Sequence, residues 1–204
     1  MTTERWILVG DSIQTNVYEA PGPHAVPATE LMAVNLAKNT GATINNLSWG
    51  GARMTDGGWP GFGWASNVAA IQRVCGPTPA KGVLVTLGLN DWGEPSVTGI
   101  GFITAMRTFI RACKSYGLIV VFLSPIWNAQ GHIAKVKPDG SWTLPQWASF
   151  VANVAYEEGA HHISGYSAPL LPEHFADDSH LNTAGHLVLE PYTRQKVNAL
   201  GYMA

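Results

Sequence analysis

Four short stretches of this chain carry residue types that could act on a carbonyl together. The first spans residues 5–16, RWILVGDSIQTN, where the apolar run Trp6-Ile7-Leu8-Val9 stops at Gly10-Asp11-Ser12. A short aliphatic run ended by glycine reads as a buried parallel strand and a tight turn. That turn sets the Ser12 hydroxyl just past the strand's carboxyl end, the edge where open α/β sheets bind ligands. Gly-Asp-Ser is also an ordinary turn composition, so its weight comes from its position and from the three later stretches.

The second stretch, residues 46–53, reads NLSWGGAR. Gly50-Gly51 lets the backbone approach a ligand closely and turn an amide outward, although a plain turn would have the same composition. The third is Gly88-Leu89-Asn90-Asp91. A side-chain amide at a strand's carboxyl end can donate to a developing oxyanion; the alternative is an Asn capping the next helix. The fourth is Asp177-Asp178-Ser179-His180-Leu181-Asn182. An Asp and a His three residues apart in one turn can lie side by side, the carboxylate fixing the imidazole and stabilising its protonated form. Spacing favours Asp177 over Asp178 as that partner, which leaves Asp178 facing solvent or capping the final helix.

Apolar strand-like runs alternate with helical patterns along the whole chain. Strands are predicted at 6–9, 43–47, 82–87 and 118–123, with a short, weak fifth at 162–166. Helices are predicted at 28–38, 64–74, 97–116, 145–158 and 183–200. Alternating strands and helices give a parallel sheet covered on both faces, with right-handed crossovers. The expected architecture is α/β: a three-layer α/β/α sandwich with a flavodoxin-like parallel sheet of about five strands, in a single domain over residues 1–204. Two excursions interrupt the pattern. Residues 52–63, ARMTDGGWPGFG, exceed the usual connection and read as a binding loop or lid; residues 127–142, WNAQGHIAKVKPDGSW, are a second irregular segment.

Composition narrows the function classes. Of 204 residues, 46% are hydrophobic and only 13% charged, with a net charge of −2, so there is no basic footprint for nucleic acid. No run approaches the roughly 18 apolar residues of a membrane span. The start, MTTERW, lacks a charged-then-apolar leader, so the expected location is cytoplasmic. Cys75 and Cys113 are far apart in no metal-binding spacing and read as buried thiols in helices. His161, His162, His174 and His186 cluster near the carboxyl-terminal stretch, yet their spacing matches no dedicated metal motif. No metal and no cofactor is expected. Oligomeric state is left open.

The four stretches together resemble the SGNH hydrolase superfamily, also called GDSL-type esterases, named for Ser, Gly, Asn and His in four blocks. The blocks read GDS at 10–12, N-x-S-x-x-G at 46–51, GxND at 88–91 and DxxH at 177–180. Each of the first three closes a predicted strand. The resemblance implies a Ser–His–Asp triad with Ser12 as nucleophile, His180 as base and Asp177 as its orienter. It also implies an oxyanion hole made of the Ser12 and Gly51 backbone amides and the Asn90 side chain; the block spacing from Asn46 selects Gly51 over Gly50. Many relatives carry Gly four residues after the serine, where this chain has Asn16, a residue that tolerates left-handed backbone.

The implied activity is hydrolysis of a small-molecule or carbohydrate ester; the bulky rings of residues 52–63 and 127–142 at the active edge favour short acyl groups, acetyl above all, and can stack on sugar faces. A thioesterase or lysophospholipase-like acyl hydrolase, or a non-catalytic binding module of the same fold, is the alternative. Buried packing is the default for tryptophan, but Trp49, Trp59, Trp64, Trp92 and Trp127 fall in or beside segments at the active edge and are the candidate substrate-binding rings.

Overall fold

A computed structural model describes residues 3–15, 26–57, 63–75, 79–126 and 136–203. Five parallel strands form one sheet: β1 (Arg5–Gly10), β2 (Thr43–Asn46), β3 (Gly82–Thr86), β4 (Ile119–Leu123) and β5 (His161–Ile163). Their spatial order is β2-β1-β3-β4-β5, the flavodoxin-like order expected from the sequence. Among the described residues the α-helices are α1 (Met32–Thr40), α2 (Val68–Cys75), α3 (Leu89–Gly93), α4 (Gly99–Ser115), α5 (Leu144–Glu157) and α6 (Thr183–Ala199).

The period of two along β1 assigns its side chains to the two faces of the sheet. Trp6 and Leu8 pack with Met32 and Leu36 of α1 and Leu189 and Val197 of α6. Ile7 and Val9 pack on the other face with Val68 and Ile71 of α2, Phe102 and Phe109 of α4, and Trp147 and Val151 of α5. The central strand β3 is buried along its whole length, whereas the edge strand β2 is not. Three layers result, and β1 and β3 lie side by side in the middle with Gly10 opposite Thr86. The carboxyl ends of β1 and β3 are where the chain order reverses, the crevice in which ligands of such sheets bind.

The predicted helix at 28–38 is two pieces. A 3-10 turn at Ala28–Glu30 ends at an extended Leu31, and α1 starts only at Met32. The Asn35 side chain donates back to the Glu30 carbonyl across the break. The helix predicted at 64–74 is likewise a 3-10 turn, Trp64–Ser66, followed by α2. At that break the Asn67 side chain donates to the Gly63 carbonyl. Both breaks are made by local side-chain bonds that compete with the helix ladder. The short helix α3 was not expected. It forms because Gly88 turns the chain with a φ of 119°, and the Trp92 N–H then closes onto the Gly88 carbonyl at 3.0 Å. The final helix is capped by Asn182, which accepts from Gly185 N, so the capping role considered for Asp178 is not realised.

Candidate active site

Ser12 opens a 3-10 turn, Ser12–Gln14, directly after β1. Asp11 caps it, its Oδ1 accepting from Ile13 N at 3.0 Å. Gly10 must be glycine here, because a Cβ would stand 2.3 Å from Thr86 Oγ1 and 2.9 Å from Ser48 Oγ. The turn is therefore pressed against the ends of β2 and β3.

His180 and Asp177 come from the loop before α6, which an antiparallel bridge between Phe175 and Leu181 holds closed. Asp177 Oδ1 accepts from the backbone N–H of Ser179 and of His180, each at 2.8 Å. This local turn places the carboxylate against the imidazole, with His180 Nδ1 at 2.7 Å from Oδ2 and 2.9 Å from Oδ1. Asp177 can only accept when ionised, so the proton sits on Nδ1 and Nε2 is left as an acceptor. Nε2 is 2.9 Å from Ser12 Oγ. The structure thus brings together Ser12, His180 and Asp177 in the order in which a base draws a proton from a hydroxyl and a carboxylate steadies the base.

Gly51 and Asn90 flank the same edge. Gly51 adopts a φ of 72°, left-handed backbone that favours glycine. Asn90 lies in the first turn of α3, and its Nδ2 donates one hydrogen to the Ala52 carbonyl at 3.0 Å. Among the described residues, neither the Ser12 nor the Gly51 amide N–H has a hydrogen-bond partner. Three donors in such positions can stabilise an oxygen that gains negative charge.

Sequence reading assigned no role to the residues that lock these parts together. Buried Asp91 accepts from Met54 N and Thr55 N, both at 2.9 Å, and from Thr55 Oγ1 at 2.7 Å. It thereby clamps the loop after Gly51 onto α3. Asn46 Nδ2 donates to the Gln14 carbonyl at 2.7 Å, fastening β2's end to the serine turn. The buried Arg53 pairs with Glu94 at 3.0 Å. Burial raises the Asp91 carboxyl above the usual carboxylate range against these hydrogen bonds and the Arg53 charge, which lower it. Asp11 is pushed up to about 7 by burial, against the pull of the Ile13 bond and with the push of Asp91. The signal for both was in the sequence: each carboxylate adjoins a candidate site residue inside its block.

The tryptophans divide. Trp64 is 1% exposed and Trp92 8% exposed, so both are core residues rather than the substrate-binding rings expected of them. Trp92 Nε1 donates to the Trp142 carbonyl. Trp64 stacks beneath the partly exposed Trp49 at 5.0 Å and 19°. Trp59, Trp127 and Asn16 lie outside the described residues. Of the histidines near the fourth stretch, His186 Nδ1 accepts from Met32 N, His174 Nδ1 accepts from Leu171 N, and His161 Nε2 lies 3.1 Å from the Tyr202 hydroxyl. Among the described residues no group of three His, Cys, Asp or Glu side chains could hold a metal ion, and no helix is long and apolar enough to cross a membrane.

A family model described as "GDSL-like Lipase/Acylhydrolase family" matches residues 8–188. The chain belongs to that family. The carbohydrate acetylesterase Est24 from Sinorhizobium meliloti is 15% identical with a TM-score of 0.76, over 97% of this GDSL-family chain and 100% of that one. TesA is 15% identical with a TM-score of 0.71, over 97% and 99%. The salicylyl-acyltransferase SsfX3 of a tetracycline biosynthetic pathway is 17% identical with a TM-score of 0.71; the match covers 99% of this chain but 56% of SsfX3. At these identities the solved structures establish the shared fold. A search of curated proteins found no match.

Proposed function

We propose that this GDSL-family protein is a serine ester hydrolase for short acyl groups, acetyl above all, including acetyl esters of carbohydrates. The observation that carries the reading is the unbroken relay from Asp177 through His180 to Ser12, at 2.7 and 2.9 Å. In this mechanism His180 Nε2 takes the Ser12 proton as Oγ bonds to the ester carbonyl carbon. The carbonyl oxygen becomes an oxyanion held by the Ser12 and Gly51 amides and by Asn90. The bond to the leaving alcohol then breaks as His180 returns the proton to it. Water, deprotonated by His180, attacks the acyl-enzyme, and Ser12 leaves with its proton restored.

The preference for small acyl groups is supported by the bulky rings beside the site: partly exposed Trp49, two residues before Gly51, is backed by Trp64, and large side chains there suit a small acyl group better than a long chain. A sugar would stack on Trp49, whose ring is backed by Trp64. The similarity in fold to a carbohydrate acetylesterase points the same way.

Hydrolysis of p-nitrophenyl esters from two to ten carbons tests the proposal together with Ser12→Ala. Acetyl and butyryl esters should turn over fastest, folded Ser12→Ala should be inactive, and a fluorophosphonate should label Ser12. Turnover that survives Ser12→Ala refutes the nucleophile. A preference for the ten-carbon ester refutes the acyl class and favours a lipase-like enzyme, and no turnover of any ester leaves a binding module.

A further inference from the structure

Asp11 precedes the proposed nucleophile in sequence, but its side chain is buried inside the protein. It is 1% exposed. Oδ1 is used by Ile13 N, and Oδ2 is buried without a partner among the described residues. Gln14 Oε1 and Nε2 and Thr86 Oγ1 are likewise buried and without a partner among the described residues. Asp11, Gln14 and Thr86 line the same small cavity of about 10 Å³. The remaining walls come from Leu89 on α3, Ser124 to Ile126 after β4, and Leu189 on α6, none of which carries a charge. The charged group that acts on Asp11 is Asp91, another buried carboxyl. Asp91 is served by three hydrogen-bond donors and lies in the field of Arg53. Of the two carboxyls, Asp91 is therefore built to hold the negative charge and Asp11 is not.

We propose that Asp11 is a positioning residue that works as a neutral carboxylic acid, Oδ1 capping the turn that carries Ser12 and the Oδ2 hydroxyl donating into the polar cavity it shares with Gln14 and Thr86. The donated bond goes to Gln14 Oε1 or to a water that also meets Thr86 Oγ1, and that water ties the serine turn to the end of β3. Neutrality also matters for the chemistry. A negative charge on the residue before Ser12 would oppose an oxyanion resting on the Ser12 amide. Burial that lifts the Asp11 carboxyl to about 7 supports the protonated form at neutral pH. Ionisation of Asp11 then lowers kcat/KM on the alkaline side, separately from the acid limb set by His180.

The inference rests on Ser12 as nucleophile only in its kinetic consequence, so two measurements are needed. Carboxyl 13C NMR of the whole protein follows the Asp11 titration without reference to turnover. The expected midpoint lies well above the ordinary carboxylate range, and a midpoint below about 5 overturns the proposal. The kinetic arm compares wild type, Asp11→Asn and Asp11→Ala with p-nitrophenyl acetate across pH 5.5–9. The Asn amide imitates the protonated acid, with a donor where Oδ2–H stood. Asp11→Asn should exceed Asp11→Ala by more than about tenfold in kcat at pH 6. It should also lack the alkaline fall of several-fold that wild type shows. A wild-type profile flat to pH 9, or a folded Asp11→Asn no better than Asp11→Ala, overturns the proposal. If Asp11→Asn does not fold, the NMR midpoint still decides. A normal Ser12 knockout with a low Asp11 midpoint refutes only this inference, and a raised midpoint with an active Ser12→Ala refutes only the nucleophile.

Discussion

Replacing Asn90 by Ala removes two hydrogen bonds of different worth, and they can be measured separately. The Nδ2 amide carries two hydrogens. One is committed to the Ala52 carbonyl at 3.0 Å, and the other is available to an oxygen at the edge where Ser12 stands. Losing the first costs about 1 kcal/mol of stability, the usual net worth of a neutral bond at a partly buried site. Losing the second costs roughly 2.7–4 kcal/mol in the transition state, or about 10²–10³ in kcat. KM should change little, because that bond reaches full strength only when the carbonyl oxygen has become an anion. Urea unfolding reads the first effect and steady-state kinetics with p-nitrophenyl acetate the second. Asn90→Asp keeps the shape, cannot donate when ionised and sets a charge beside buried Asp91, so it should fall below Asn90→Ala in kcat. If Asn90→Ala raised KM and left kcat within about threefold of wild type, well short of a lost oxyanion donor, Asn90 would be a binding residue and the assignment wrong.

Asp177→Asn should lower kcat by about 10³–10⁴, since it keeps the acceptor for the Ser179 and His180 amides but removes the charge facing Nδ1, while Asp178→Asn should stay close to wild type; kcat for the two variants checks which carboxylate orients His180. Stability should fall as pH falls below about 6.5, because burial holds the His186 imidazole down at about 4 while the unfolded chain takes up its proton near 6.5. The protein is therefore the poorer proton binder when folded across that window, and about 3 kcal/mol is lost by the time pH reaches 4. Urea midpoints at pH 7 and 4.5 should drop more for wild type than for His186→Gln, and equal drops would contradict the assignment.

Much of the site was legible because its signals are local. The strand at 6–9 and its glycine stop, the GxND turn, and the three-residue spacing of Asp177 and His180 are all fixed by neighbours in sequence. The sheet order followed from alternation of strands and helices together with chirality. The tryptophans were misread for the opposite reason. Trp64 and Trp92 lie in segments at the active edge, but whether a ring faces solvent or core is decided by α2, α4 and Trp142, which no local pattern reports. The two helix breaks at Leu31 and Asn67 were hidden too, since an apolar period runs through them while single side-chain bonds redirect the backbone. Asp11 and Asp91 were visible as letters, yet the consequence of burying both was not.

The pairing of β1 with β3 explains why a site built on loops can hold its geometry. Gly10 stands opposite Thr86, so the serine turn and the start of α3 leave the sheet from adjacent strands at one level. Adjacent residues on α3 then grip one loop: Asn90 takes the Ala52 carbonyl, and Asp91 takes the Met54 and Thr55 amides. The Gly51 amide is thereby fixed relative to the Asn90 amide by bonds that do not pass through substrate. Asn46 makes the matching connection on the other side, through the Gln14 carbonyl to the serine turn. An oxyanion hole works because its donors are already in place when charge develops, and in the hole proposed here each donor's segment is bonded to its neighbour's. Cutting one such link should therefore lower kcat even where the severed residue never touches substrate. Asp91 is the sharpest case, with three bonds from one buried carboxylate to the loop that follows Gly51.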